Sequence, residues 1–325
     1  MRGERYIVFL IAAILLAGCQ REPEVSLSVR ECTPLPAGGR ASASSCSLNG
    51  KGYVFGGRDK DGKYLNDLWQ YDPETDTWEL IPTFPGKARV HALLTTDGEA
   101  LYVGLGFSGE KVYEDSCYLQ DFWRYTPADG QWEALSSCPD HNTIDGVPYV
   151  IDDRIYVLYS TGWSHTNDVI YYDKRTNEWR KIPVGNRIEA RFGAAGAQCQ
   201  NRCFFGTGLG KLNSADWYEV DLATDTWSSR AGIPGKGREL CAYCGTESYI
   251  YLFGGRYFAG EYTGGEVFGD YWRYDVTHNR WECCGSMPCG RGENMIAFSI
   301  NGKVYFGLGE NSNKELIPSL YCIEN

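Results

Sequence analysis

The chain of 325 residues carries a formal net charge of -11 and is 43% apolar, with 10 Trp and 23 Tyr. That composition supplies a packed core and excludes a disordered chain. The acidic balance, without any basic tail, excludes sequence-independent binding to nucleic acid or anionic lipid, which needs a surplus of Lys and Arg facing phosphates.

The first element is apolar. In MRGERYIVFLIAAILLAGC, Arg2 and Arg5 precede a run from Tyr6 to Ala17, and Gly18 stands directly before Cys19. This pattern reads as a secretory signal peptide over residues 1–18. The run is shorter than the roughly 20 residues that a spanning helix needs. Leu16-Ala17-Gly18-Cys19 resembles a bacterial lipobox, which implies lipidation of Cys19, a tether over 19–24 and a place in the bacterial cell envelope, periplasmic or surface-exposed. The lipid would be the only membrane contact. An oxidising compartment makes the other cysteines candidates for disulfides. Cys199 and Cys203 flank a predicted hairpin turn, Cys32 and Cys322 stand near opposite ends, and Cys241 and Cys244 lie in a strand-like stretch that does not suit a zinc knuckle.

From residue 25 the chain is a succession of short strands. Apolar segments ending in glycine recur as YVFGG at 53–57, LYVGLG at 101–106, IYVLYSTG at 155–162, CFFGTGLG at 203–210, YLFGG at 251–255 and VYFGLG at 304–309. Each is followed by an alternating segment such as DLWQYD, DFWRYT or YWRYDV, the period-two pattern of a half-buried strand. Acidic, Thr- and Asn-rich turns then lead to Trp78, Trp132, Trp179, Trp227 and Trp281, separated by 54, 47, 48 and 54 residues. Six units of four antiparallel strands, with no helical stripe, predict an all-β fold: a six-bladed β-propeller over 25–325.

The glycine doublets, the Tyr and Trp placements and the period resemble the kelch repeat across nearly the whole of that span. The sixth unit ends at Asn325 without a Trp strand, while SLSVRECTPLPAGGR aligns with TDTWELIPTFPGKAR, placing Val29 where Trp78 stands. The N-terminal strand is therefore expected to complete the last blade and leave no unpaired edge.

Several local motifs lose their appeal in this frame. GLGFSGEK at 104–111 contains G-x-G-x-x-G but opens no helix within a β-α-β unit. DKDGKYLND at 59–67 lacks the closing acid of a calcium loop. Resemblance to kelch proteins brings galactose oxidase to mind, yet His91, His141, His165 and His278 are scattered over different registers, so no copper, other metal or cofactor is expected. No G-x-S-x-G elbow supports a hydrolase triad.

Arg40, Arg89, Arg191, Arg238 and Arg291 recur 10 to 12 residues after the closing strand position. They either ring one mouth of the channel as an anion-binding crown or pair with carboxylates and carbonyls of their own blades. Glu189, Glu239 and Glu293 lie within two residues of these arginines, and His91 lies two after Arg89; these four are the acid-base candidates. The variable loops add Arg256, Tyr257, Phe258 and Trp163, aromatic and polar groups suited to a sugar ring or a protein surface. Without a strong catalytic motif the sequence favours a monomeric, envelope-anchored module that binds a glycan or protein. The alternative, implied by resemblance to the kelch-type sialic acid mutarotases, is an enzyme exchanging the anomers of an acidic sugar such as N-acetylneuraminic acid.

Overall fold

Each alternating segment forms a strand because its apolar residues occupy one face and must be covered. The computed structural model describes residues 24–109, 117–139, 144–158, 168–183, 189–260 and 265–324. The signal peptide, Cys19, His141, Asn142, Trp163 and His165 lie outside the described residues. Six four-stranded antiparallel sheets form, together with a two-stranded ribbon made by Arg256–Phe258 and Gly265–Val267. No described helix is long and apolar enough to cross a membrane.

The first strands of the six blades pack side by side in a closed circuit, from Ser44–Leu48 through Leu93–Thr96, Val147–Ile151, Ala195–Cys199 and Ala242–Gly245 to Ile296–Ile300 and back. They line the central channel. Blade six is completed by Ser28–Cys32, which pairs antiparallel with Leu320–Glu324 in the register Val29 to Ile323. Val29 thus occupies the place of Trp78, which pairs with Tyr71 in blade one. The expected closure is present.

The core is not central. It is divided into six slabs, one between each pair of neighbouring blades, such as Val54, Tyr71, Phe298 and Tyr305 between blades six and one. Tyr71, Tyr172 and Tyr274 donate their hydroxyls to Asp76, Asn177 and Asn279 at 2.6, 2.8 and 2.7 Å. The same side-chain oxygens accept the amides of Thr33, Ser136 and Ala231 in the link from the preceding blade. Trp78, Trp179 and Trp281 donate their indole N–H groups to the carbonyls of those same link residues. In blades one, three and five the Tyr, Asx and Trp therefore fasten the blade to its predecessor.

The glycine pairs solve a backbone problem. After the second strand two consecutive residues adopt positive φ, as at Gly56 and Gly57 or Leu105 and Gly106. The second must be Gly, because a Cβ on Gly106 would lie 2.7 Å from the Val90 carbonyl oxygen. The G-x-G-x-x-G segment is one such turn. The sequence expectation of a Cys199–Cys203 bridge is corrected: Cys199 faces the slab towards blade five and Cys203 the slab towards blade three, because neighbouring slabs lie on opposite faces of one sheet. All twelve described cysteines are unbridged.

Candidate functional site

The register arginines face into their own blades. Arg40, Arg89, Arg191 and Arg238 are at most 5% exposed and fork onto Asp67, Asp121, Asp216 and Asp270, with contacts of 2.5 to 3.1 Å. Each also donates to the carbonyl sixteen residues on, that of Gly56, Leu105, Thr207 or Gly254. Burial pushes the carboxyls of Asp67, Asp121 and Asp270 up, but the arginine's hydrogen bonds and charge outweigh it and hold them below the usual range. These four guanidinium groups tie the link, the glycine turn and the third strand together and are not presented to a ligand.

Arg291 is out of register by one residue. Positive φ recurs at Ser42, His91, Asp145, Gly193, Leu240 and Asn294; counting two back lands on buried arginines from Ser42, His91, Gly193 and Leu240, but on Thr143 in blade three and on Gly292 in blade six. The partner aspartate is replaced there too, by Ser319, which precedes Leu320 as Asp67 precedes Leu68. Arg291 instead lies half exposed, donating to the Val267 carbonyl at 2.8 Å.

The six positive-φ residues rim a cavity of about 140 Å³ in the channel. Backbone hydrogen bonds pass around that rim: His91 N–H donates to Ser42, Ser42 to Asn294, Asn294 to Leu240 and Leu240 to Gly193, at 2.9 to 3.2 Å. One step further out, the link residue pairs with the residue after the glycine turn: Ala41 with Arg58, Val90 with Phe107, Phe192 with Leu209, Glu239 with Arg256 and Glu293 with Glu310. The mouth is consequently two-sided. Blades two to four supply Val90, Phe107, Tyr118, Ile144 and Phe192, an apolar cluster. Blades five, six and one supply charge.

On the charged side Arg256 Nε donates to Glu239 Oε1 at 2.8 Å and lies 3.4 Å from Glu293 Oε2. Lys314 Nζ donates to Glu293 Oε1 at 2.6 Å, and Arg58 to Glu310 Oε2 at 2.7 Å. Glu239 and Glu293 are 0% and 1% exposed, yet Oε2 of each has no hydrogen-bond partner. Burial raises the Glu239 carboxyl above its ordinary value; Arg256 opposes this, while the charges of Glu293 and Asp145 add to it. On the rim His91 Nδ1 lies 2.5 Å from Asp145 Oδ1, whose Oδ2 is likewise buried and unpartnered.

Glu239, Glu293, His91 and Arg256 are therefore brought together around one opening. Glu189 is not; it is exposed, and its Oε1 accepts the Lys211 amide at 3.2 Å. Tyr257 and Phe258 continue the ribbon from Arg256, with Lys236 Nζ 5.3 Å from the Tyr257 ring centre and the Phe258 amide held by Asn213. Sequence reasoning missed Arg58, Glu310, Lys314 and Asp145. A signal for the first two was available: both directly follow a glycine turn, in GGR and GLGE, in the register that also holds Arg256.

A ring of six blades, with glycine turns described in five of them and a Trp on the outer strand of blades one to five, defines a kelch-type β-propeller. A KLHDC2/KLHL20/DRC7 Kelch-repeats domain matches residues 24–158, and a Kelch motif matches 237–288. The chain is 24% identical over 326 aligned positions to the N-acetylneuraminate epimerase of Haemophilus influenzae strain PittEE, covering 90% of this chain and 80% of that protein. It is 22% identical to Kelch-like protein 35 of Mus musculus, covering 81% of this chain and 45% of the relative. The solved structure of YjhT shares the fold, with a TM-score of 0.74 at 16% identity over 90% of this chain and 99% of that one. The protein is a kelch-repeat propeller, distantly like the sialic acid mutarotases.

Proposed function

We propose that the protein binds an acidic sugar at the channel mouth and exchanges its anomers, with N-acetylneuraminate, named in its relatives, as the substrate class. The observation that carries this reading is the pair of buried carboxyls, Glu239 and Glu293, each with an oxygen that accepts no hydrogen bond, at positions that three other blades fill with Ala41, Val90 and Phe192. Packing alone does not call for them, since a buried carboxylate without full hydrogen bonding is costly.

Anomer exchange of a cyclic hemiketal opens the ring, rotates the freed carbonyl and closes it again. Opening needs a proton delivered to the ring oxygen and another removed from the anomeric hydroxyl. Glu239, with its raised pKa, holds the proton to be delivered; Glu293, held by Lys314, accepts the other. Closure reverses both transfers. The Nη groups of Arg256 make no hydrogen bond to a described residue and suit the sugar carboxylate. The apolar side of the mouth suits an N-acetyl methyl group.

Exchange measured by NMR on N-acetylneuraminate tests the proposal. E239Q is expected to slow the catalysed rate by about 100-fold or more while leaving sugar binding within a few-fold. A wild-type protein that leaves exchange at the buffer rate sinks it. Saturable binding with unaltered exchange would instead assign the second reading, a glycan- or protein-binding module, which the rim ribbon of Arg256, Tyr257 and Phe258 favours. The lipid anchor at Cys19 belongs to the same proposal, and palmitate incorporation lost in C19A is its test.

A further inference from the structure

Blade six is assembled from two distant parts of the chain, and its seam holds two cysteines. Cys32 stands opposite Leu320 and Cys322 opposite Arg30, so the pair are diagonal neighbours on one face of adjacent strands. Both are buried in the slab between blades six and one, at 4% and 0% exposure. The two thiols interact with each other, Tyr71 acts on Cys32 and Tyr305 on Cys322, and the Cys322 thiol donates to the Ile323 carbonyl at 3.6 Å. The position of Cys322 on the third strand is held by Gln70, Arg124, Glu219 and Arg273 in blades one, two, four and five, and by Tyr171 in blade three. A buried thiol is a departure from that polar pattern.

We propose that Cys32 and Cys322 are an oxidisable clamp, joined in an oxidising medium by a disulfide that fastens the N-terminal strand to the C-terminal one. The oxidant is a disulfide of an exchange partner, either oxidised glutathione or a protein of the disulfide-oxidoreductase class. The Cys322 thiolate attacks one partner sulfur, breaking that disulfide and releasing one partner thiolate. Cys32 then attacks the Cys322 sulfur and releases the second. The protein dithiol loses two electrons and two protons; the partner disulfide gains both and leaves as two thiols.

The interaction with Cys32 lowers the Cys322 thiol below its ordinary value; burial opposes this, and Tyr305 and the Arg30 charge assist it. Cys322 is thus the attacking group and Cys32 the resolving one. Because both sulfurs are covered once the seam closes, reaction occurs as Ser28–Cys32 docks or frays at the blade edge. The loop so closed spans nearly the whole described chain, the case in which a cross-link restricts the unfolded state most.

The test uses the full chain, reduced and then held with excess oxidised glutathione. Peptide mapping after alkylation is expected to yield a Cys32–Cys322 linked peptide lighter by two hydrogens, and the unfolding midpoint is expected to rise by roughly 5 to 10 °C over the reduced protein. C322S is expected to abolish both. C32V keeps an apolar residue where blades one and two have Ile81 and Leu135, and it is expected to lose the link and the oxidant-dependent rise while folding normally. Free, alkylatable thiols at both positions after oxidation, a link to another cysteine, or a link without any rise in midpoint would each overturn the proposal. None of these readouts depends on sugar chemistry.

Discussion

Arg89 is fully buried, and its charge is balanced within its own blade by Asp121 and the Leu105 carbonyl. Removing the guanidinium empties a buried site and leaves the partly buried carboxylate without its counter-charge, so R89A is expected to destabilise the fold by about 3 kcal/mol, read from urea unfolding. D121N should cost less, because Asp121 is one-third exposed and its amide still accepts one N–H. Protons move these sites in opposite directions. Asp67, Asp121 and Asp270 have depressed pKa values, so their contribution is complete above the unfolded value of about 3.9 and is lost as pH falls through the lower folded values. Glu239 has a raised pKa, so it withdraws stability as pH rises from its unfolded value, about 4.3, through the folded one. E239Q removes that penalty and is expected to be at least as stable as wild type at pH 7, with the difference vanishing below about pH 4. A destabilised E239Q at neutral pH would mean that the carboxylate is a structural partner of Arg256 and would undercut its role as proton donor.

The strand-turn-strand element owes its shape to paired left-handed residues. At Gly106 the φ of 87° and a Cβ placed 2.7 Å from the Val90 carbonyl act together, whereas at Gly62, φ 79°, a Cβ meets nothing within 4 Å. G106A is expected to cost about 2 to 4 kcal/mol and G62A about 1 kcal/mol, a contrast that thermal melts of the two variants would resolve. Equal costs would show that φ alone matters and that the carbonyl approach does not. Such elements were legible in the sequence because most blades repeat the same constraints, the glycine that meets a carbonyl and the Tyr and Trp that staple a link, and because the Val29 strand takes the place of Trp78 in blade six. The site was legible only in part. Glu239 and Glu293 were found by their nearness to Arg238 and Arg291, yet Arg238 pairs inwards with Asp270, as Arg40, Arg89 and Arg191 do with Asp67, Asp121 and Asp216, and Arg291 lies out of register. A guanidinium aimed at a ligand and one aimed at a carboxylate of its own blade have the same spacing in a repeat. What distinguishes the mouth is a departure from the repeat, acids where other blades have Ala41, Val90 or Phe192, and only a register fixed to one residue exposes it.

A propeller is held together as a circuit, each blade covered by two neighbours, and Ser28–Cys32 supplies the outer strand that completes blade six. Without it, Leu320–Glu324 becomes a free edge with unpaired N–H and C=O groups, a template for another chain. The slab between blades six and one also loses Cys32 and Leu35, both nearly fully buried. A chain lacking residues 24–36 keeps the innermost circuit of first strands, so collapse of the whole ring is not the expected result. The expected result is a midpoint lower by roughly 10 °C, from the lost apolar burial and ladder, with self-association that grows with protein concentration in sedimentation velocity. A synthetic peptide of residues 24–36 added in trans should restore the monomer and most of the midpoint, since the strand pairs with a preformed edge. A truncated chain that stays monomeric at the wild-type midpoint would mean that blade six stands on three strands, and that the N-terminal segment is held by the ring without closing it.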